Sequence, residues 1–439
     1  MRYLKPAFYA DLAVSLVLLA AVLVWKLLVR GEEPGFLVIG LAAMLIVNSA
    51  LCLYSAAAIG RGRGRTAAKL WLFISTLIFS YALADFTGGL ILHHAGTEYN
   101  VADGYSHHRL RPNVSEEMRN SSDFDAVLTT NGMGFRNREI GEKKPGVYRI
   151  VMLGDSFTMG EGVRDDQTFP YLAERYLNGD GGGKYEVVNL GIESYSPVLE
   201  YLLLKKYIGV LKPDMVVLNF DMSDLRNESY YRSQARYDKE GDVTAVDGVR
   251  EYEMRSRDRF ETAYIWIRDN LALTNGLIGI LEGYFGSETE MEHRTLLVHT
   301  LDAPQPVGSA ESYRMAEDGI MRAKRLCDEH RCAFVLSVYP WGHQVNGREW
   351  VPGRYDYIPE GARISDRTVD ELGRFAAKNG IDFFNAFPVF RAYDGGEPLY
   401  FRHDPHWTPA GQRLMAETLA GFIEEKLKTA NLPHDGLVY

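Results

Sequence analysis

YRIVMLGDSFTMG, residues 148–160, changes character halfway along. From Tyr148 to Leu153 the side chains are apolar except Arg149, with no alternation of polar and apolar positions, which is the pattern of a strand buried on both faces. Gly154 and Gly160 then permit a tight turn from that strand into a helix. A strand covered on both faces belongs to a parallel sheet wrapped by helices, and open sheets of that kind hold ligands at the carboxyl ends of their strands. Asp155 and Ser156 stand at such an end. Taken alone, Gly-Asp-Ser is a weak signal, because a serine or aspartate there also serves simply to cap the next helix.

Four further apolar runs have the same length and flanks: YEVVNLG (185–191), DMVVLNF (214–220), AFVLSVY (333–339) and IDFFNAF (381–387). Between and after them lie stretches of helical period near 168–178, 196–209, 309–329, 362–379 and 408–428. Strand and helix in alternation predict a flavodoxin-like three-layer α/β/α sandwich with about five parallel strands, spanning residues 146–430. The alternation breaks over about 225–308, too long for a plain loop and rich in aromatic and charged residues; it reads as a lid-like insertion. Residues 96–145, polar and turn-rich, read as a linker and flap, and 431–439 as a tail.

The chain opens with three apolar stretches, 9–29, 35–58 and 69–93, each close to the length that crosses a bilayer. Residues 1–95 therefore read as an anchor of three transmembrane helices. The link between the second and third carries Arg61, Arg63, Arg65 and Lys69, while the first link has only Arg30 beside Glu32 and Glu33. A basic link stays in the cytoplasm, so the expected topology has the N-terminus inside and everything after about residue 95 outside the cytoplasmic membrane.

A formal charge of −10 offers no basic field for a phosphate backbone, so nucleic acid is not an expected partner. With 46% hydrophobic and 24% charged residues the composition is that of a folded protein. The three cysteines are too few for a disulfide scaffold. Cys52 falls in an apolar stretch; Cys327 and Cys332 flank a helix-to-strand join, where a bridge is geometrically open but two buried thiols are the simpler expectation.

Far from Ser156, HDPHWTPAGQ (403–412) puts Asp404 two residues before His406, with Thr408 and Pro409 opening the last helix. A serine hydroxyl is a poor nucleophile at neutral pH and needs a base such as imidazole, whose tautomer a carboxylate on the other nitrogen fixes. In an extended segment residues two apart point the same way, so Asp404 reaches the side that His406 occupies. Ser156, Asp404 and His406 are thus the candidate catalytic group. A metal site built on His403, Asp404 and His406 is the competing reading, but no further ligand cluster accompanies it, so neither metal nor cofactor is expected. After the fourth strand, Tyr339, Trp341 and His343 offer aromatic faces suited to a sugar, or equally to packing.

GDSFTMG near the start of this region and DPHWTPAG near its end resemble the first and last blocks of the SGNH/GDSL hydrolase superfamily, over about residues 130–428. The stretch from TTNGMGFRNREI through TFPYLAERY is similar to bacterial extracytoplasmic members, including relatives of glycan O-acetyl esterases and acetyltransferases. The resemblance implies an oxyanion hole formed by the backbone N–H of Ser156, the N–H of Gly191 and a third donor after the third strand. Where the family pattern has asparagine, Ser223 stands, with Asn219 and Asn227 near it; the usual two-residue gap between Asp and His is reduced to Pro405 alone.

These features imply ester hydrolysis or acyl transfer through an acyl-Ser156, on O-acetyl or other short acyl esters of an extracytoplasmic glycan, with a membrane-bound acyltransferase as a candidate partner. Two alternatives stay open: a non-catalytic glycan-binding or assembly protein, for which Ser223 speaks, and a lipase or thioesterase acting near the membrane.

Overall fold

The computed structural model describes residues 99–120, 123–179, 183–248, 296–306 and 308–429. The chain divides into two compact units, and all described residues lie in the one formed by Glu98–Ser256 and Glu288–Tyr439. The three apolar stretches before residue 95 lie outside them, as does most of the expected insertion. No helix among the described residues is long and apolar enough to cross a membrane.

Two antiparallel hairpins come first: β1 (Asn100–Asp103) with β2 (His107–Leu110), and β3 (Ser115–Asn120) with β4 (Phe124–Thr129). The segment read as a linker and flap is therefore structured, and it is tied to the body by apolar side chains. Leu110 and Leu128 are fully buried, and Met118, Ala126 and Phe135 nearly so. Their spacing escaped a periodicity search because each strand is too short to repeat its pattern.

The central sheet holds five parallel strands: β5 (Tyr148–Leu153), β6 (Tyr185–Asn189), β7 (Met215–Phe220), then, after the short hairpin β8 (Ala235–Tyr237) and β9 (Val243–Val246), β10 (Ala333–Val338) and β11 (Asp382–Asn385). Their spatial order is β6-β5-β7-β10-β11, so the chain reverses direction across the sheet between β5 and β7, the flavodoxin-like switch point. Residue Met215 of β7 lies opposite both Ile150 of β5 and Ala333 of β10, in register at the sheet's centre. Every residue of β7 is buried. Each such Val or Leu contributes about 1.5–3 kcal/mol on leaving water, which is why the continuous apolar runs, and not alternating ones, locate the central strands.

Nine helices are described: α1 (Ser156–Met159), α2 (Phe169–Asn178), α3 (Pro197–Leu211), α4 (Asp224–Ser233), α5 (Ser309–His330), α6 (Gly342–Val345), α7 (Arg367–Lys378), α8 (Phe387–Ala392) and α9 (Pro409–Thr429). Helix α2 packs with α9, while α3 packs with α4 and α5, which gives the sandwich its two outer layers. Pro197 and Pro409 stand at the first positions of α3 and α9, where a missing N–H costs nothing and the fixed φ already suits a helix. Cys327 and Cys332 are both buried and free. Of the expected insertion, α4 and the β8–β9 hairpin are described; Val243 is fully buried and Val246 bridges to Ser106 of the first hairpin.

Candidate active site

Asp155 and Ser156 leave the carboxyl end of β5, next to the switch point. Asp155 caps α1, its carboxylate accepting the N–H of Phe157 at 2.9 Å. Gly154 is obligatory at φ +153, since a Cβ there would stand 2.1 Å from Thr158 Oγ1. Ser156 becomes the first residue of a one-turn helix, 8% exposed, with its hydroxyl facing out of the core.

The last connection brings the base. Ser156 Oγ is 2.7 Å from His406 Nε2, and His406 Nδ1 is 2.6 Å from Asp404 Oδ1. Asp404 also accepts the backbone N–H of His406 at 3.0 Å, so a single carboxylate oxygen fixes both ring and backbone. With Nδ1–H donated to Asp404, Nε2 is left as the acceptor for the serine proton. The one-residue gap is thus sufficient, though not through the extended backbone that the spacing suggested: the chain bends from Arg402 to His406, and the turn closed by Asp404 Oδ1 on the His406 N–H brings carboxylate and ring together.

Two parts of the molecule hold this loop. Asp123, at the turn of the β3–β4 hairpin, accepts the N–H groups of His403 and Asp404 at 2.7 and 2.6 Å. From the other side Trp350 Nε1 donates to His403 O at 3.1 Å, and Gly353 lies so close that a Cβ would meet His403 O at 2.1 Å. Thr408 closes the turn into α9, accepting from Ala410 and Gly411 N–H.

Burial works against protonation of His406, and the carboxylates of Asp404, Glu161 and Asp155 outweigh it, raising its pKa well above the ordinary imidazole value. Glu161 is the residue that sequence reasoning missed: its Oε2 lies 3.8 Å from His406 Nε2. Burial raises its pKa to about 7, with Glu193 and Asp404 adding to the rise and His406 and Arg136 opposing it. Its one cue in the sequence is its adjacency to Gly160, which a strand-centred reading treats as loop. Among the described residues, the one set of three ligand-type side chains that converge is Glu161, Asp404 and His406, and two of these are committed to Ser156.

The expected oxyanion donors divide. The Ser156 N–H stands at the start of α1, with no hydrogen-bond partner among the described residues. The Gly191 N–H is taken by the Asn189 side-chain carbonyl at 2.9 Å, so Gly191 is required for a different reason: a Cβ would stand 2.3 Å from Met159 N. Ser223 is turned onto Asp221, to which its N–H donates at 2.7 Å and its hydroxyl also bonds. Asn219 is buried and donates to Leu153 O at 2.8 Å, whereas the half-buried Asn227 makes only long contacts, 3.5 Å to Ser194 O and to Ser223 Oγ.

Tyr339, Trp341 and His343 do not form a sugar platform. All three are buried: Tyr339 OH donates to Asp155 at 3.0 Å, Trp341 Nε1 to Asp221 at 2.6 Å, and His343 Nε2 pairs with Thr300 Oγ1 at 2.8 Å. Tyr339 and Trp341 also pack their rings on Phe157 of α1, at 5.2 and 5.7 Å, whereas His343 is held on Thr300. His403, the other member of the competing metal set, is exposed.

Residues 354–438 match the family described as "ALGX: SGNH hydrolase-like domain, acetyltransferase AlgX". Solved structures similar to the chain include a member of the lipolytic protein G-D-S-L family from Veillonella parvula (11% identity, 63% of this chain and 99% of that one, TM-score 0.33). An acetyl xylan esterase gives 14%, 65% and 100%, with TM-score 0.33. A two-domain esterase active on acetylated mannans gives 12%, 64% and 50%, with TM-score 0.33. No curated protein matches the chain. The family match covers the segment that carries Asp404 and His406, and lies on a doubly wound parallel sheet whose first strand delivers Ser156 to the same place; the chain is thus similar, over that segment, to an SGNH hydrolase-like domain.

Proposed function

We propose that the domain transfers short acyl groups, acetyl above all, to or from hydroxyls of a glycan outside the cytoplasm, through a covalent ester on Ser156. The observation that carries this reading is the unbroken hydrogen-bonded line from Ser156 Oγ through His406 to Asp404, at 2.7 and 2.6 Å. In this mechanism His406 Nε2 takes the serine proton as Oγ attacks the acyl carbon, Asp404 holds the ring and steadies the imidazolium, and the Ser156 N–H supports the developing oxyanion. The protonated imidazole then gives its proton to the leaving alcohol. Water resolves the acyl-enzyme in an esterase, and a glycan hydroxyl does so in a transferase.

Two features support a short acyl group. Ser156 is only 8% exposed, with the rings of Phe157 and His406 packed at 4.8 Å beside it, which favours a small acyl group. The matched family carries an acetyltransferase in its description. The apolar stretches 9–29, 35–58 and 69–93, with the basic link at 61–69, support an anchor in the inner membrane and a domain beyond it. A second reading, in which the domain binds a glycan or a membrane acyltransferase without turnover, is favoured by Ser223 being turned onto Asp221.

The test uses the full-length protein. A fluorophosphonate should label the wild type and not Ser156→Ala, and the wild type alone should hydrolyse a short-chain aryl acetate. Absence of both labelling and hydrolysis in a folded wild type sinks the catalytic reading in favour of the binding one, and a strong preference for long acyl chains would replace it by a lipase or thioesterase.

A further inference from the structure

Ser156, His406 and Asp404 account for activation of the nucleophile, and they leave one carboxylate at the reacting atoms without a task. Glu161 sits in the turn after α1, and its N–H donates to Ser156 O at 3.0 Å, so the turn closes back on the nucleophile itself. The turn is clamped from behind. Arg136, 3% exposed, donates to the carbonyls of Gly160 and, at 2.6 Å, Val163. Gly162, at φ +80, lies under the rings of Phe124 and Phe401, where a Cβ would be 2.9 and 2.6 Å from them.

The backbone that carries Glu161 is therefore held in position. Oε2 is 3.8 Å from His406 Nε2, on the nitrogen that also meets Ser156 Oγ. Among the described residues no donor reaches this carboxylate, although its side chain is only 19% exposed. The carboxylate is not sealed off from solvent, so its acceptor capacity is open to an incoming hydroxyl beside Nε2, the nitrogen that must take the proton of the second substrate of an acyl transfer.

The geometry points to Glu161 as the group that receives the acyl acceptor. In resolution of acyl-Ser156 the attacking hydroxyl gives its proton to His406 Nε2, while Glu161 accepts a second hydrogen bond, from the other O–H of water or from the neighbouring hydroxyl of a sugar diol. This rests on the acyl-enzyme reading above. The acceptor oxygen bonds to the acyl carbon and Nε2 takes its proton. The adduct then collapses by breaking the acyl carbon–Oγ bond, and the proton passes from Nε2 to Oγ; Glu161 ends as it began.

The acceptor class follows from the charges around it. Glu193 shares this rim, held by Asn100 Nδ2 at 2.6 Å and Tyr99 OH at 3.4 Å, and both glutamates act on the same Tyr99 phenol. An uncharged, hydroxyl-rich acceptor satisfies Glu161, whereas a uronate carboxylate would meet Glu161, Glu193 and Asp404 as like charges.

An aryl acetate separates the two halves of the reaction, since its phenolate leaves without needing a neighbouring hydroxyl. With full-length Glu161→Gln, fluorophosphonate labelling and the pre-steady-state burst of phenol should be at least as fast as wild type. Steady-state turnover should fall about ten- to a hundredfold, the loss of one hydrogen bond to a charged group, with an acetylated protein accumulating in intact mass spectra. Glycerol and a methyl glucoside, added as acceptors, identify the source: a fall in hydrolysis alone means that Glu161 holds water, and a fall in acetyl transfer as well means that it holds a sugar diol. Unchanged steady-state turnover overturns the proposal, and so does a loss of labelling in step with turnover, which would put Glu161 on the nucleophile side. A folded wild type that is never labelled overturns instead the reading on which this one rests.

Discussion

Replacing Gly191 by alanine tests whether this glycine serves as an oxyanion donor or as a spacer. The added Cβ would stand 2.3 Å from Met159 N, 2.6 Å from Thr158 C and 2.9 Å from Met159 Cα, against ordinary contact beginning at 3.4 Å. All three atoms are backbone of α1, so no side chain can rotate away, and the helix carrying Ser156 must retreat by about 1 Å. The 2.7 Å bond from Ser156 Oγ to His406 would then stretch past the ~3.2 Å limit of a useful hydrogen bond. Misplacement of that size lowers turnover about a hundredfold, and the overpacking costs about 1–3 kcal/mol of stability. Because alanine keeps its N–H, the loss would measure space and not donation. The assay is the rate of fluorophosphonate labelling and of aryl acetate hydrolysis in the folded full-length variant, with its melting temperature alongside. Labelling, turnover and melting all within about twofold or a degree or so of wild type would refute the argument.

Asp404→Asn should lower hydrolysis about a thousand- to ten-thousandfold with little change in stability, since the ring loses the carboxylate that fixes its tautomer; a loss under tenfold would assign that task to another group. The raised pKa of His406 keeps its base form scarce until the pH passes the ordinary imidazole value of about 6.5, so the acid limb of kcat/KM should lie above that value and move down in Glu161→Gln; a limb at or below it contradicts the shift. Burial, with neighbouring carboxylates, raises the pKa of Glu200 and Asp224 well above normal. Their folded forms hold protons that the unfolded chain releases near pH 4, so this stability is complete below the unfolded value and is lost as pH rises through the folded one. Glu200→Met should remove about 1.4 kcal/mol per pH unit of that slope within the window, measured by denaturant unfolding between pH 5 and 8; an unchanged slope would count against it. Tyr339→Phe should cost about 1 kcal/mol and leave the KM for a glycan ester unchanged, whereas a raised KM in an otherwise intact variant would restore Tyr339 to the substrate.

The five apolar runs from Tyr148 to Phe387 were legible as strands because each is a short apolar run and helices of ordinary length separate them; the central ones, β5, β7 and β10, leave water on both faces, while the edge strand β11 stays half-buried. Ser156, Asp404 and His406 were legible only together: a hydroxyl at a strand end also serves to cap a helix, and it gained meaning from a carboxylate two residues from an imidazole at the other end of the domain. The hairpins at 100–129 were not legible, since strands of four to six residues give too short a pattern to separate from loop. Asp123 shows what that conceals: only pairing across 280 residues brings its carboxylate to the N–H groups that shape the catalytic loop.

By itself the sequence determined the layers, the order of strand and helix and which serine, histidine and aspartate are candidates for the site, because these depend on burial and on spacing along one chain. The tertiary structure decided direction and distance. Tyr339, Trp341 and His343 sit at a strand end, as their position required, but hydrogen bonds to Asp155, Asp221 and Thr300 turn them inward. Gly191 and Ser223 occupy the expected turns, yet Asn189 and Asp221 claim their hydrogen bonds. Glu161 carries no signature of its own, and acquires one only where the turn after α1 comes to lie against an imidazole 245 positions further along the chain (406 − 161).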